Sequence, residues 1–266
     1  MVFDIFNNTS LLWITLINKA YIEFTNNFLK SIELRNIRFD NFVIFCADED
    51  SFNEFKDKCC CIRINEVLNK YISSELGHWD HIHYKRIVFT KLDVLLYTLK
   101  NTYTLNVQHV GYIDMDIVLF YDPTTVMMEH IQNYPETQIF CQCDENPNNL
   151  QRPLHGYYTC SDVTFCTQIC TGIISVKNDP NLYHLFDYTE SDVENFYTDQ
   201  QFLQQKVNNY NIPYRTIDRL VLANGCSPNF RFERMSPLPQ TCAVHFNYLF
   251  NYQKKDFMIM HGMWYL

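Results

Sequence analysis

The stretch Val110-Gly111-Tyr112-Ile113-Asp114-Met115-Asp116-Ile117-Val118-Leu119-Phe120 decides how this chain is read. Its first part is apolar and β-rich, the signature of a core strand. Two acids then interrupt it. A carboxylate at the end of a buried strand cannot stay desolvated and unpaired, because that costs several kcal/mol. In an extended backbone, positions i and i+2 point to the same side. Asp114 and Asp116 therefore face one point, and paired hard oxygens suit Mg²⁺ or Mn²⁺. The tripeptide also reads as a polar strand end leading into a Tyr121-Asp122-Pro123 turn. On these residues both readings stay open.

Working outward, residues 11–17 (Leu-Leu-Trp-Ile-Thr-Leu-Ile) form a short apolar run, expected to be a buried strand. Ile22, Phe24, Phe28, Leu29 and Ile32 fall at helical spacing within residues 21–34. Residues 42–45 and 60–64 read as strands, and residues 91–99 as a helix with Leu92, Leu95, Leu96 and Leu99 on one face. Residues 138–143 and 173–176 are further strand candidates, and residues 192–207 read as one helix. Strands alternating with helices indicate an α/β protein with a largely parallel sheet, whose ligands bind beyond the carboxyl ends of the strands. No Pro/Ser/Gly-rich linker, repeat or charge block divides the chain, so one domain over residues 1–266 is expected.

The charge sum is 21 − 30 = −9, with no basic run. General nucleic-acid binding, which needs Lys and Arg to displace counterions, is excluded. An anionic ligand must be held locally, by a metal or a few placed cations. No glycine-dense phosphate loop of the G-x-G-x-x-G or G-x-x-x-x-G-K-[ST] type is present among the six glycines. The longest clean apolar run is far short of the ~20 residues of a transmembrane helix. The start Met-Val-Phe-Asp lacks the basic region of a signal peptide, so a cytoplasmic protein is expected. The 11 cysteines include Cys59-Cys60-Cys61, Cys141 with Cys143, and Cys166 with Cys170. None makes the paired C-x-x-C spacing of a zinc site, and free thiols in a reducing compartment are expected.

Four more groups bear on chemistry. His245, in Val244-His245-Phe246-Asn247-Tyr248, reads as a packed core residue or as the imidazole that tilts a carboxylate pair towards Mn²⁺. Lys254 and Lys255 read as a solvated face or as ammonium groups for a diphosphate. Asp199 and Gln200 read as an ordinary helix start or as hydrogen-bonding partners for sugar hydroxyls. Asp144 and Glu145 follow a strand and read as an acceptor pocket or a solvated loop.

The succession of these pieces resembles the nucleotide-diphospho-sugar transferases of glycosyltransferase family 77. More distantly, it resembles the retaining galactosyltransferases of family 8. The resemblance runs from about residue 10 to 266 and implies the GT-A fold, one α/β domain around a mixed, mostly parallel sheet flanked by helices. It implies a donor-nucleotide half near residues 10–125 and an acceptor and metal half near 126–266. It also implies a retaining, Mn²⁺- or Mg²⁺-dependent transfer from a nucleotide sugar, a UDP-sugar above all, to a hydroxyl on a glycan, protein or small molecule. Asp114 and Asp116 match the family's D-x-D, His245 its third metal ligand, and Lys254 its diphosphate lysine, with Lys255 one position away. Thr15 and Asn18 sit where the first strand meets the nucleobase, and Lys91 matches the lysine before the D-x-D strand. Gly172 matches the Asn-x-Gly element beside the donor sugar, although Cys170 stands where that asparagine is expected. Asp199 and Gln200 fall where these enzymes contact the sugar and flank its anomeric carbon.

Two rival readings come from the residues themselves. A strand followed by Asp-x-Asp also suits a phosphatase of the haloacid dehalogenase type, with Asp114 as nucleophile and Asp116 as general acid. That motif usually opens its chain, and no later Asp-Asp completes its Mg²⁺ site here. A non-enzymatic module docking through the aromatic segment 246–252 is the other.

Overall fold

Strand β1 (Leu11–Ile17) is covered on both faces. In a strand, side chains alternate between faces, and here Leu12 and Ile14 enter one hydrophobic core while Leu11, Trp13 and Ile17 enter a second. The structure is a computed structural model describing residues 2–68, 82–144, 168–224, 239–247, 249 and 251–266.

In chain order the elements after β1 are α1 (Ile22–Leu34), β2 (Phe42–Cys46), α2 (Glu49–Phe55), β3 (Cys60–Arg63), α3 (Ile64–Val67) and α4 (Ile82–Thr102). Then come β4 (His109–Ile113), β5 (Ile117–Leu119), α5 (Pro123–Asn133), β6 (Ile139–Cys143), β7 (Ile169–Lys177), α6 (Glu190–Asn195) and α7 (Asp199–Asn209). The chain closes with β8 (Tyr214–Ile217), β9 (Leu222–Asn224), β10 (Ala243–His245) and α8 (Asn251–Met260).

Seven strands form one sheet in the order β3-β2-β1-β4-β7-β6-β8. Its pairings are parallel except for those of β7, which runs against both β4 and β6. Helices α4, α6 and α7 cover one face, with Phe89, Leu92, Leu95 and Leu99 of α4 forming its apolar stripe. Helices α1, α2 and α8 cover the other, together with a small sheet of order β5-β10-β9. Burying strands on both faces explains why they read as continuous apolar runs. No helix among the described residues is long and apolar enough to cross a membrane.

Three expectations change. The helix expected over residues 192–207 is two helices, because Thr189 and Thr198 each cap a new start. Between them Phe196 is extended, which ends α6. The turn expected at Asp122-Pro123 is the start of α5, with Asp122 Oδ1 accepting from Thr124 N at 2.8 Å and proline at the first helical position. Among the described residues seven cysteines are free, as expected, but Cys143 is disulfide-bonded. Glu145, Cys166, Tyr248 and Phe250 lie outside the described residues.

Candidate active site

The large sheet delivers the acids and the small one delivers the histidine. Asp114 N donates to Gly172 O at 2.8 Å, the last rung between β4 and β7. The chain then leaves that sheet, and β5 pairs antiparallel with β10, His245 opposite Ile117. Phe246 N donates to Asp116 O at 2.9 Å, which extends the same register. Met115 turns into the core while the acids on either side converge. His245 Nε2 lies 3.3 Å from Asp116 Oδ1 and 3.7 Å from Asp114 Oδ2. The ligand atoms of Asp114, Asp116 and His245 all fall within 4.8 Å of one another. Asp116 and His245 are buried, and Asp114 is half-buried.

Two lysines neutralise the acids. Lys91, from α4, places Nζ 2.8 and 2.9 Å from the two oxygens of Asp114. Lys254, from α8, places Nζ 2.5 Å from Asp116 Oδ2. Burial opposes ionisation of Asp116, but Lys254 and His245 outweigh it and hold the carboxyl well below the usual range. Both lysines stay charged: burial works against them, and Asp114 and Asp116 respectively prevail. The four side chains sum to zero charge (−2 + 2). Lys255 is not in this cluster. Its Nζ pairs with Glu23 Oε2 at 2.7 Å and lies 4.8 Å from the Trp264 ring centre.

Two carboxylates and an imidazole nitrogen converging on one point are donors suited to a divalent cation. The residues present therefore fit a divalent cation. Gly172 makes room for the set. A Cβ there would stand 2.1 Å from His245 Cε1 and 2.5 Å from Nδ1, so the imidazole rests on bare backbone.

The other expected residues lie on β1, just after it, and at the start of α7. Thr15 is buried on β1 and Asn18 directly follows that strand, at the carboxyl end where such sheets bind ligands. Asp199 opens α7 and is buried; among the described residues its Oδ2 has no hydrogen-bond partner. Burial raises its pKa, while Lys91 and Thr171 pull it back. Gln200 Nε2 donates to Asp144 Oδ2 at 2.5 Å, which ties α7 to the end of β6. Two tyrosines escaped the sequence reading. Lys254 Nζ is 5.9 Å from the Tyr21 ring centre, and burial raises the pKa of Tyr84, which also feels Lys254, Lys91 and Asp199. Tyr21 had one available signal, its place three residues after Asn18.

The family model for nucleotide-diphospho-sugar transferases matches residues 38–258, well over half of the chain. No relative among curated proteins matches the sequence. In structure the chain is similar to mouse xyloside xylosyltransferase 1 in its apo form, at 15% identity and a TM-score of 0.51. That likeness covers 89% of this chain and 97% of the other, and it shows the GT-A fold. With Asp114 clasped by Lys91 and faced by His245, the family match displaces the phosphatase reading. The chain is a glycosyltransferase by family, a member of the nucleotide-diphospho-sugar transferases.

Proposed function

We propose that this protein, acting as one domain, moves a sugar from a nucleoside-diphosphate donor, a UDP-sugar, to a hydroxyl on a glycan, protein or small molecule, with retention at the anomeric carbon. The observation that carries the reading is the Asp114–Asp116–His245 cluster, flanked by two half-buried ammonium groups, in a chain of this family.

The difficult moment is departure of the diphosphate, when negative charge grows on its oxygens. Lys254 and Lys91 stand beside the carboxylates with charge to offer at that point. A bound Mn²⁺ or Mg²⁺ would add the remaining countercharge and polarise the leaving group as a Lewis acid. Thr15 and Asn18 would hold the nucleobase at the end of β1. Asp199, held in a dry setting, would support a short-lived oxocarbenium-like sugar by charge, and Gln200 by its dipole. In a retaining transfer the acceptor hydroxyl attacks from the leaving-group side, and its proton passes to a diphosphate oxygen. For compartment we propose the cytoplasm, on the seven free thiols, with the Cys143 disulfide as the opposing observation.

A thermal-shift panel of nucleotide sugars with and without Mn²⁺ tests the reading. It includes a pentose donor because the mouse neighbour is a xylosyltransferase. The site's own charge sums to zero, so anion binding calls for the cation as well. A matching donor at 100 times its Kd together with Mn²⁺ is expected to raise Tm by about 5 °C, and either alone by much less. No shift with any donor would remove the assignment. The lysines separate in the same assay. Lys254→Met is expected to weaken donor binding about 10-fold, whereas Lys255→Met leaves it within about twofold, a rim ion pair contributing ~1 kcal/mol or less. Equal effects would disprove the placement of Lys254 on the diphosphate.

A further inference from the structure

Gln142 is fully buried near the end of β6, an unusual place for an uncharged amide in a strand of Ile, Phe and Cys. Its Nε2 donates to two consecutive β9 carbonyls, Leu222 O at 3.1 Å and Ala223 O at 2.9 Å. Both amide hydrogens are thereby used. Its Oε1 then faces His245 Nδ1 at 2.8 Å. An amide oxygen can only accept, so Nδ1 must carry the hydrogen. Turning the amide over would set Oε1 against two carbonyl oxygens and lose both of those bonds. Cys170 Sγ also approaches Nδ1, but at 3.8 Å and as a weak partner.

We propose that Gln142 is a positioning residue that keeps a hydrogen on His245 Nδ1 and so aims Nε2, the nitrogen left to bind a cation, at the two carboxylates. The consequence is visible in the cluster. Nε2 faces Asp116 Oδ1 at 3.3 Å and Asp114 Oδ2 at 3.7 Å. A proton on Nε2 can bridge to the carboxylates, and a cation that takes its place meets three donor atoms at one point. A histidine ligand's second nitrogen commonly sets both ring orientation and basicity in this way. Here the same glutamine also ties β6 of the large sheet to β9 of the small one. The tautomer is thus coupled to how the two sheets meet. The tautomer assignment stands on hydrogen bonds alone; its value for metal binding rests on the function proposed above.

Long-range ¹⁵N correlation spectra of the metal-free protein read the tautomer directly. His245 is identified among the nine histidines by comparison with His245→Gln. The wild-type spectrum is expected to show a protonated Nδ1. A bare Nδ1 in the wild type would overturn the proposal without any variant having to fold. In Gln142→Met the Nδ1–H preference is expected to disappear, and affinity for Mn²⁺ alone, followed by the EPR signal of the free ion, to fall about 10–100-fold. A Gln142→Met protein that keeps both the tautomer and the affinity would reduce Gln142 to a sheet fastener. A wild type with the expected tautomer but no Mn²⁺ binding would instead count against the metal site, leaving the tautomer assignment in place.

Discussion

Asp116→Ala is expected to lower sugar transfer at least about 10³-fold, the scale seen when a group that stabilises transition-state charge is removed. Two losses coincide. The cluster keeps only Asp114 and His245, and Lys254 loses the carboxylate 2.5 Å from its ammonium. A buried cation without its partner destabilises a fold by about 3–5 kcal/mol. The single variant should therefore melt earlier as well as turn over more slowly, and a rate measurement alone would confuse the two. The double variant Asp116→Ala/Lys254→Met separates them. It removes both charges, and replacing a buried ion pair by apolar groups is often neutral for stability. Its Tm is expected to return close to that of the wild type while transfer stays absent. Asp116→Ala retaining a tenth or more of wild-type activity would sink the role assigned to this carboxylate.

Gly172→Ala is expected to be nearly as damaging, for a purely steric reason. The new methyl would lie 2.1 Å from His245 Cε1 and 3.0 Å from Nε2, and real Cβ atoms essentially never approach so closely. The backbone at this point cannot withdraw, because Gly172 O accepts from Asp114 N in the β4–β7 ladder. The imidazole must therefore move. A displacement near 1 Å at a reacting centre can reduce turnover about 10²-fold. Crowding a packed site costs about 1–3 kcal/mol. The cause can be isolated with His245→Ala as a background. If the clash with the ring is the whole effect, adding Gly172→Ala to His245→Ala should lower Tm no further, a strong coupling between neighbours. A Gly172→Ala protein that binds Mn²⁺ and donor like the wild type would show that the ring is not where the structure places it.

Residue order made some things plain. The run at 11–17, apolar but for Thr15, and the run before Asp114 announced buried strands, because a strand covered on both faces has little polar side to show. The i, i+2 spacing of Asp114 and Asp116 announced convergent carboxylates, because that relation is local. Other features were hidden. Thr198 looked like a mid-helix residue, since a cap is recognised by where the next helix begins rather than by its own side chain. Lys254 and Lys255 could not be told apart, because adjacent positions on a helix point about 100° apart and only the packing of α8 says which faces inward. Gln142 carried no motif at all. Its partners Leu222, Ala223 and His245 are some 80 to 100 residues away in sequence.

The α/β class, the acid pair and the family likeness are therefore properties of the linear chain, each resting on neighbours within a few residues or on the order of segments. The meeting of His245 with the acids, the choice of Lys254 over Lys255 and the bare backbone beneath the imidazole belong to the folded molecule. They depend on the antiparallel register of β5 with β10 and on the end of the β4–β7 ladder. Such long-range registers are selected by the packing of two whole hydrophobic cores, which no short window of sequence contains.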